Sequence, residues 1–207
     1  MSFKYTGFIS YRRNQWCRKC ASFFNNILQE NEECYGSGIF FDDKEIEVRD
    51  DIDQKIADGI YESMSLLFFF VPVSILESNP YCAWELAYFS EYERLRIEKL
   101  KQINPHLDEN DCKQIIPILI KGDEKDLPDL LRNRKFVDFR TEMLVLRKNS
   151  RAARKAYKEI IDSFNSLRRT FSGFENVGKI PMPPMDFATS AETIGYKPPF
   201  PSIVLKN

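Results

Sequence analysis

Leu66-Leu67-Phe68-Phe69-Phe70-Val71 limits the possible folds more than any other stretch of this chain. The run is continuously apolar, so a strand built from it must be covered on both faces. That is the setting of a central strand in a parallel sheet, and parallel strands need crossover connections, usually helices. The flanking sequence supplies them. Tyr5 to Tyr11 reads as a first strand, and Cys20, Phe24, Ile27 and Leu28 recur at the helical period within a helix from Cys17 to Gln29. Ile39-Phe40-Phe41 reads as a short buried strand, and Ile52, Ile56 and Ile60 mark the next helix. A helix from Pro80 to about Lys99 follows, then a strand over Ile115 to Ile120 and a short helix over Leu127 to Leu131. Phe136 to Phe139 reads as a fifth strand. Ala153, Ala156, Ile160, Phe164, Leu167 and Phe171 line one face of a long last helix. Strands alternating with helices predict an α/β fold: a flavodoxin-like, doubly wound five-stranded parallel sheet flanked by helices.

The chain has 207 residues, which suits one domain with an appendage. The folded domain is expected over residues 1–172. Residues 173–207 contain Pro181, Pro183, Pro184, Pro198, Pro199 and Pro201 without a helical period, which predicts an extended Pro-rich C-terminal tail. Phe187, Tyr196, Phe200 and Ile203 make it too apolar for a pure linker, so it is expected to pack on the domain or dock a partner. A net charge of −1 supplies no domain-wide basic field, which argues against nucleic acid as a partner. The N-terminus leads straight into a strand-like run with no secretory pattern, and no apolar run approaches the roughly 20 residues a membrane helix needs. A cytoplasmic protein is expected, and its 5 cysteines read as free thiols. The single histidine, His106, lies in a polar connector and reads as a solvated loop residue.

Doubly wound sheets bind ligands beyond the carboxyl ends of their strands. Three unusual stretches fall there: Ser10 to Asn14, Asp42 to Asp50, and Val73 to Glu85. In the third, Asn79 is a good N-cap and Pro80 suits the first helical position. Helical spacing then places Tyr81, Glu85 and Tyr88 on one side with Trp84 beside them, a lone carboxylate among aromatic rings. Either Glu85 sits at the stripe's edge as a structural ion-pair partner, or it faces a cationic reacting centre. Spacing leaves both open. Arg12 and Arg13 at a strand's carboxyl end match the geometry of a phosphate clamp, or are a surface pair. Trp16-Cys17-Arg18-Lys19-Cys20 has the outline of a thioredoxin redox motif, against which both cysteines suit sheet-facing positions of a helix. Asp42-Asp43 invites comparison with receiver acidic pockets, but the first strand here ends in arginines. No Gly-rich phosphate loop is present. The basic stretch Arg147 to Lys158 reads as the solvated face of the last helix.

Taken together, Phe8-Ile9-Ser10-Tyr11-Arg12-Arg13, Ile39-Phe40-Phe41-Asp42-Asp43 and Ser78-Asn79-Pro80-Tyr81-Cys82-Ala83-Trp84-Glu85-Leu86 resemble, in order and at family spacing, the three boxes of the TIR (Toll/interleukin receptor) domain family. The resemblance covers about residues 3–171. It implies the TIR fold, with Asp43 to Asp50 as the segment the family calls the BB loop; Arg49-Asp50-Asp51 stands where receptors commonly have Pro-Gly. In enzymatic members the glutamate matching Glu85 is catalytic and the aromatic matching Tyr81 helps form the pocket. The resemblance thus implies NAD+ as substrate rather than cofactor, with no metal, and Glu85 as catalytic residue. Phe8, Ser10, Arg12, Arg13, Asp43, Ser78, Tyr81 and Trp84 become candidate substrate-binding residues. The implied activity is that of an NAD+ glycohydrolase or cyclase that releases nicotinamide and makes ADP-ribose or a cyclic isomer, in bacterial relatives an antiphage immune signal read by a downstream effector. Self-association through the BB loop is implied as well. Non-enzymatic TIR interaction modules carry a glutamate at the same place, so a docking role is the alternative.

Overall fold

The computed structural model describes residues 3–30, 38–42, 52–72, 80–140, 147 and 150–172. Asp43, Ser78, the loop over 43–50, the N-cap candidate Asn79 and the tail over 173–207 lie outside the described residues. Five parallel strands form one sheet: β1 (Tyr5–Ser10), β2 (Ile39–Phe40), β3 (Ser63–Phe70), β4 (Ile115–Leu119) and β5 (Val137–Asp138). Their spatial order is β2-β1-β3-β4-β5. The helices between and after them are α1 (Gln15–Gln29), α2 (Ile52–Glu62), α3 (Pro80–Ile103), α4 (Asp129–Arg132) and α5 (Arg151–Phe171). This is the doubly wound α/β sheet that the apolar runs predict.

Alternation along the strands divides the core in two. Phe8, Leu66, Phe68, Phe70 and Leu119 face α2 and α3, whereas Ile9, Leu67, Phe69, Val71 and Ile118 face α1 and α5. Every residue of β3 is buried, as a central strand with helices on both faces requires. β3 begins three residues before the apolar run because two serines enter the sheet with their hydroxyls satisfied. Ser63 Oγ donates to the Gly59 carbonyl at 2.6 Å and Ser65 Oγ to the Thr6 carbonyl at 2.7 Å. Asn14 caps α1 by accepting from the Trp16 and Cys17 amides at 3.1 and 2.7 Å, and Ser150 caps α5 through the Ala153 amide.

Helix α3 fixes the site. It runs 24 residues, beyond the expected end near Lys99. Its exposed side carries Arg94 paired with both Glu91 and Glu98, the i,i+3 and i,i+4 contacts that support a long helix. Its buried side carries two acidic residues and one basic one, Glu85, Glu93 and Arg96. Arg96 is fully buried. It donates to the carbonyls of Ser63 and Tyr61 at 3.1 and 3.0 Å and lies over the rings of Phe3, Phe89 and Tyr92. Glu93 accepts from the Gln114 and Ile115 amides and from Arg134 through two bonds of 2.8 and 2.5 Å. The lower half of α3 is thereby bonded to the amino ends of β3 and β4.

Candidate functional site

The upper half of α3 meets the carboxyl end of β1. Ser10, the last residue of that strand, points to the same face as Phe8, toward α3. Its Oγ donates to Glu85 Oε2 at 2.5 Å, and both residues are buried, 1% and 7% exposed. Beyond the strand, Arg13 donates from Nε and Nη2 to Asp42 Oδ2 at 3.0 and 2.9 Å. The Arg13 guanidinium lies 5.9 Å from the Tyr81 ring centroid. Ser10, Arg13, Asp42, Tyr81 and Glu85 therefore converge from the ends of β1 and β2 and the first turns of α3.

The charge on Glu85 follows from this setting. Burial removes the water an ionised carboxylate would keep and pushes its pKa up from 4.5 to about 8; the hydrogen bond from Ser10 works against that, the negative charge of Asp42 adds to it, and the positive charge of Arg13 opposes it. At neutral pH the resting group holds a proton for much of the time. A cation brought against it would draw that proton off, because an opposite charge at close range favours the ionised form.

The other expected site residues distribute differently. Arg12 is half-buried beside this rim. Phe8 is 1% exposed and stacks on Phe40 with centroids 5.0 Å apart. Trp84 stacks on Tyr88 at 5.0 Å, and both belong to the core between the sheet and α2 and α3. The stripe read as rings around a carboxylate thus separates: Trp84 and Tyr88 turn into the core, Tyr81 stays half-buried beside Arg13, and Glu85 meets a serine hydroxyl. The Arg13–Asp42 pairing was not legible, because nothing in their spacing of 29 residues announces it.

The rival motifs lose support. Cys17 and Cys20 lie on the sheet-facing side of α1, and burial pushes both thiols up, Cys20 to about 12. A redox cysteine needs the opposite. Cys17, Cys20, Cys82 and Cys112 are free and buried. His106 is exposed, as are Arg151, Arg154, Lys155 and Lys158 on α5. Among the described residues no group of three His, Cys, Asp or Glu side chains could hold a metal ion, and no helix is long and apolar enough to cross a membrane. An open cavity of about 710 Å³ lies at the same end of the sheet but on the α1 side, lined by Asn14, Trp16, Cys17, Val71, Lys121 and Arg140. Arg140 is engaged there by Asp138 and Asp123, which offsets its charge.

A parallel sheet with a buried glutamate on the helix after its central strand, facing the end of the first strand, is an arrangement defined by fold and site together. The TIR domain family profile matches residues 8–156, most of the chain, and the protein belongs to that family. No curated protein matches it. Among solved structures, the TIR domains of the activated Roq1 resistosome directly recognizing the pathogen effector XopQ are similar to it at 19% sequence identity, with a TM-score of 0.41 over 85% of this chain and 84% of that one.

Proposed function

We propose that this TIR domain cleaves NAD+, releasing nicotinamide and forming ADP-ribose or a cyclic ADP-ribose isomer. The observation that carries the reading is Glu85: a buried carboxyl at the carboxyl rim of a parallel sheet, hydrogen-bonded by Ser10 and within the field of Arg13 and Asp42. Nicotinamide is attached to the ribose as a cationic pyridinium and leaves neutral, so no general acid is required. Positive charge accumulates on the ribose instead, as in other glycosyl transfers. An ionised Glu85 placed against that charge stabilises it most where water is scarce. The pyridinium itself helps to ionise the group as it arrives, so the substrate brings the site into its working charge state. Arg13, with Arg12, would hold the pyrophosphate, a match between guanidinium and phosphate geometry. Tyr81 offers the half-buried ring at the site. Attack by water gives ADP-ribose, and attack by another group of the same molecule gives a cyclic isomer.

In this reading the protein works in the cytoplasm, without nucleic acid or membrane. Copies associate through the segment from Asp43 to Asp50, and the nucleotide product signals to an effector in antiphage immunity. The test is nicotinamide release from NAD+ by concentrated full-length protein, with and without a crowding agent. Release that falls by roughly a hundredfold or more in Glu85→Gln is the expected result for loss of transition-state charge stabilisation. No release under any condition of assembly, or equal release from the variant, returns the protein to the class of non-catalytic TIR interaction modules.

A further inference from the structure

Ser10 holds a polar hydroxyl in an aromatic layer. It is paired in the sheet with Phe68, shares its face with Phe8, and is 1% exposed. A buried hydroxyl needs a partner, and here the partner is Oε2 of Glu85, 75 residues away in sequence. From this geometry we propose that Ser10 is a positioning residue for Glu85: its O–H, carried on the rigid first strand, fixes the carboxyl by one oxygen and favours its ionised form, leaving Oε1 for the ligand. This rests on the reading of Glu85 given above, and it moves Ser10 from the residues that touch substrate to those that act through another group.

Three charged or titratable groups act on the Glu85 carboxyl or are acted on by it. Arg13 approaches from the end of β1, Asp42 from the end of β2, and Cys82 from the preceding turn of α3. Arg13 and Asp42 push Glu85 in opposite directions and are bonded to one another, so their fields largely offset. Cys82 is a fully buried thiol whose own ionisation is suppressed by burial. The contact from Ser10 is the strongest influence favouring the carboxylate. A neutral donor of this kind acts on the ionised form without placing a second charge in the pocket.

The experiment is a pH titration of the Glu85 carboxyl in full-length protein labelled with ¹³C at glutamate side-chain carboxyls, the resonance being identified by its loss in Glu85→Gln. Wild type, Ser10→Cys and Ser10→Ala form a series of falling donor strength. The midpoint should rise along that series, by about tenfold in proton affinity at the alanine variant. With NAD+ as substrate, kcat/KM at neutral pH should fall by about the same factor, and the acidic limb of its pH profile should move with the titration of the free protein. An unmoved midpoint in both variants overturns the proposal, and Ser10→Cys alone decides it if Ser10→Ala does not fold. A wild type that releases no nicotinamide while the midpoint still moves refutes only the enzymatic reading. An active wild type whose serine variants keep both titration and pH profile refutes only the positioning role.

Discussion

Glutamine at position 85 should destabilise the protein in acid and stabilise it in alkali. The carboxyl's pKa stands at about 8 in the folded chain against an ordinary 4.5. A group whose folded value is raised holds its proton more tightly in the folded state. Its effect on stability is therefore absent below the lower value, grows as the pH climbs between the two, and is complete above the higher one. Each tenfold change in proton affinity is worth about 1.4 kcal/mol, so ionised Glu85 costs the folded state roughly 5 kcal/mol at the alkaline end. Glutamine does not titrate and escapes that cost. It does leave a buried amide with unmet donors, which costs about 1–3 kcal/mol at every pH. The difference between variant and wild type should therefore run from about 1–3 kcal/mol unfavourable near pH 4 to about 2–4 kcal/mol favourable near pH 9. Guanidinium denaturation followed by circular dichroism at several pH values measures it, and titrating groups distant from Glu85 cancel in the difference. A difference that does not change with pH would refute the reasoning, because the carboxyl would then be hydrated and would hold no unusual proton.

Three further substitutions test the frame around the site. Arg134→Ala strands the buried Glu93 carboxylate, whose side chain is 5% exposed, and should cost about 3–5 kcal/mol in denaturant unfolding. Arg96→Met keeps the length but leaves the Ser63 and Tyr61 carbonyls without their donor; a loss of about 3 kcal/mol or more in chemical unfolding is expected, and an unchanged midpoint would count against the buried anchor. Gly59→Ala sets two effects against each other. Alanine favours a helix by about 1 kcal/mol, but its Cβ would stand 2.7 Å from the Phe40 ring. The collision should win, lowering the melting temperature, because Phe40 is held in place by its stack on Phe8.

The strands and helices were legible because this sheet is covered on both faces. Full coverage turns strands into apolar runs such as Leu66 to Phe70, and it gives α1 and α5 single apolar faces that the helical period reveals. Where polar residues are satisfied inside the fold, that signal fails. Ser63 and Ser65 hid the start of β3, and Glu93 and Arg96 put charged side chains on the buried face of α3, where no apolar period marks them. Glu85 stood out because it interrupts an aromatic stripe. Its partner was found only as one candidate among eight, since a bond between residues 75 apart leaves no local pattern. Trp84 and Tyr88 were expected near the carboxyl from spacing alone, but a helix packed on a sheet spends its bulkiest rings on the core.

The two halves of α3 bind the sheet in different currencies, and this bears on how such a domain can vary. Glu93 and Arg96 take hold of main-chain amides and carbonyls at Gln114, Ile115, Tyr61 and Ser63. Every residue except proline offers those amides, so the sequence of the receiving strands can drift without loosening the grip. Glu85 meets a side chain instead, and one codon change at Ser10 breaks that link. Mutation can therefore retune the chemistry at one end of the helix while the other end keeps the domain's frame in register.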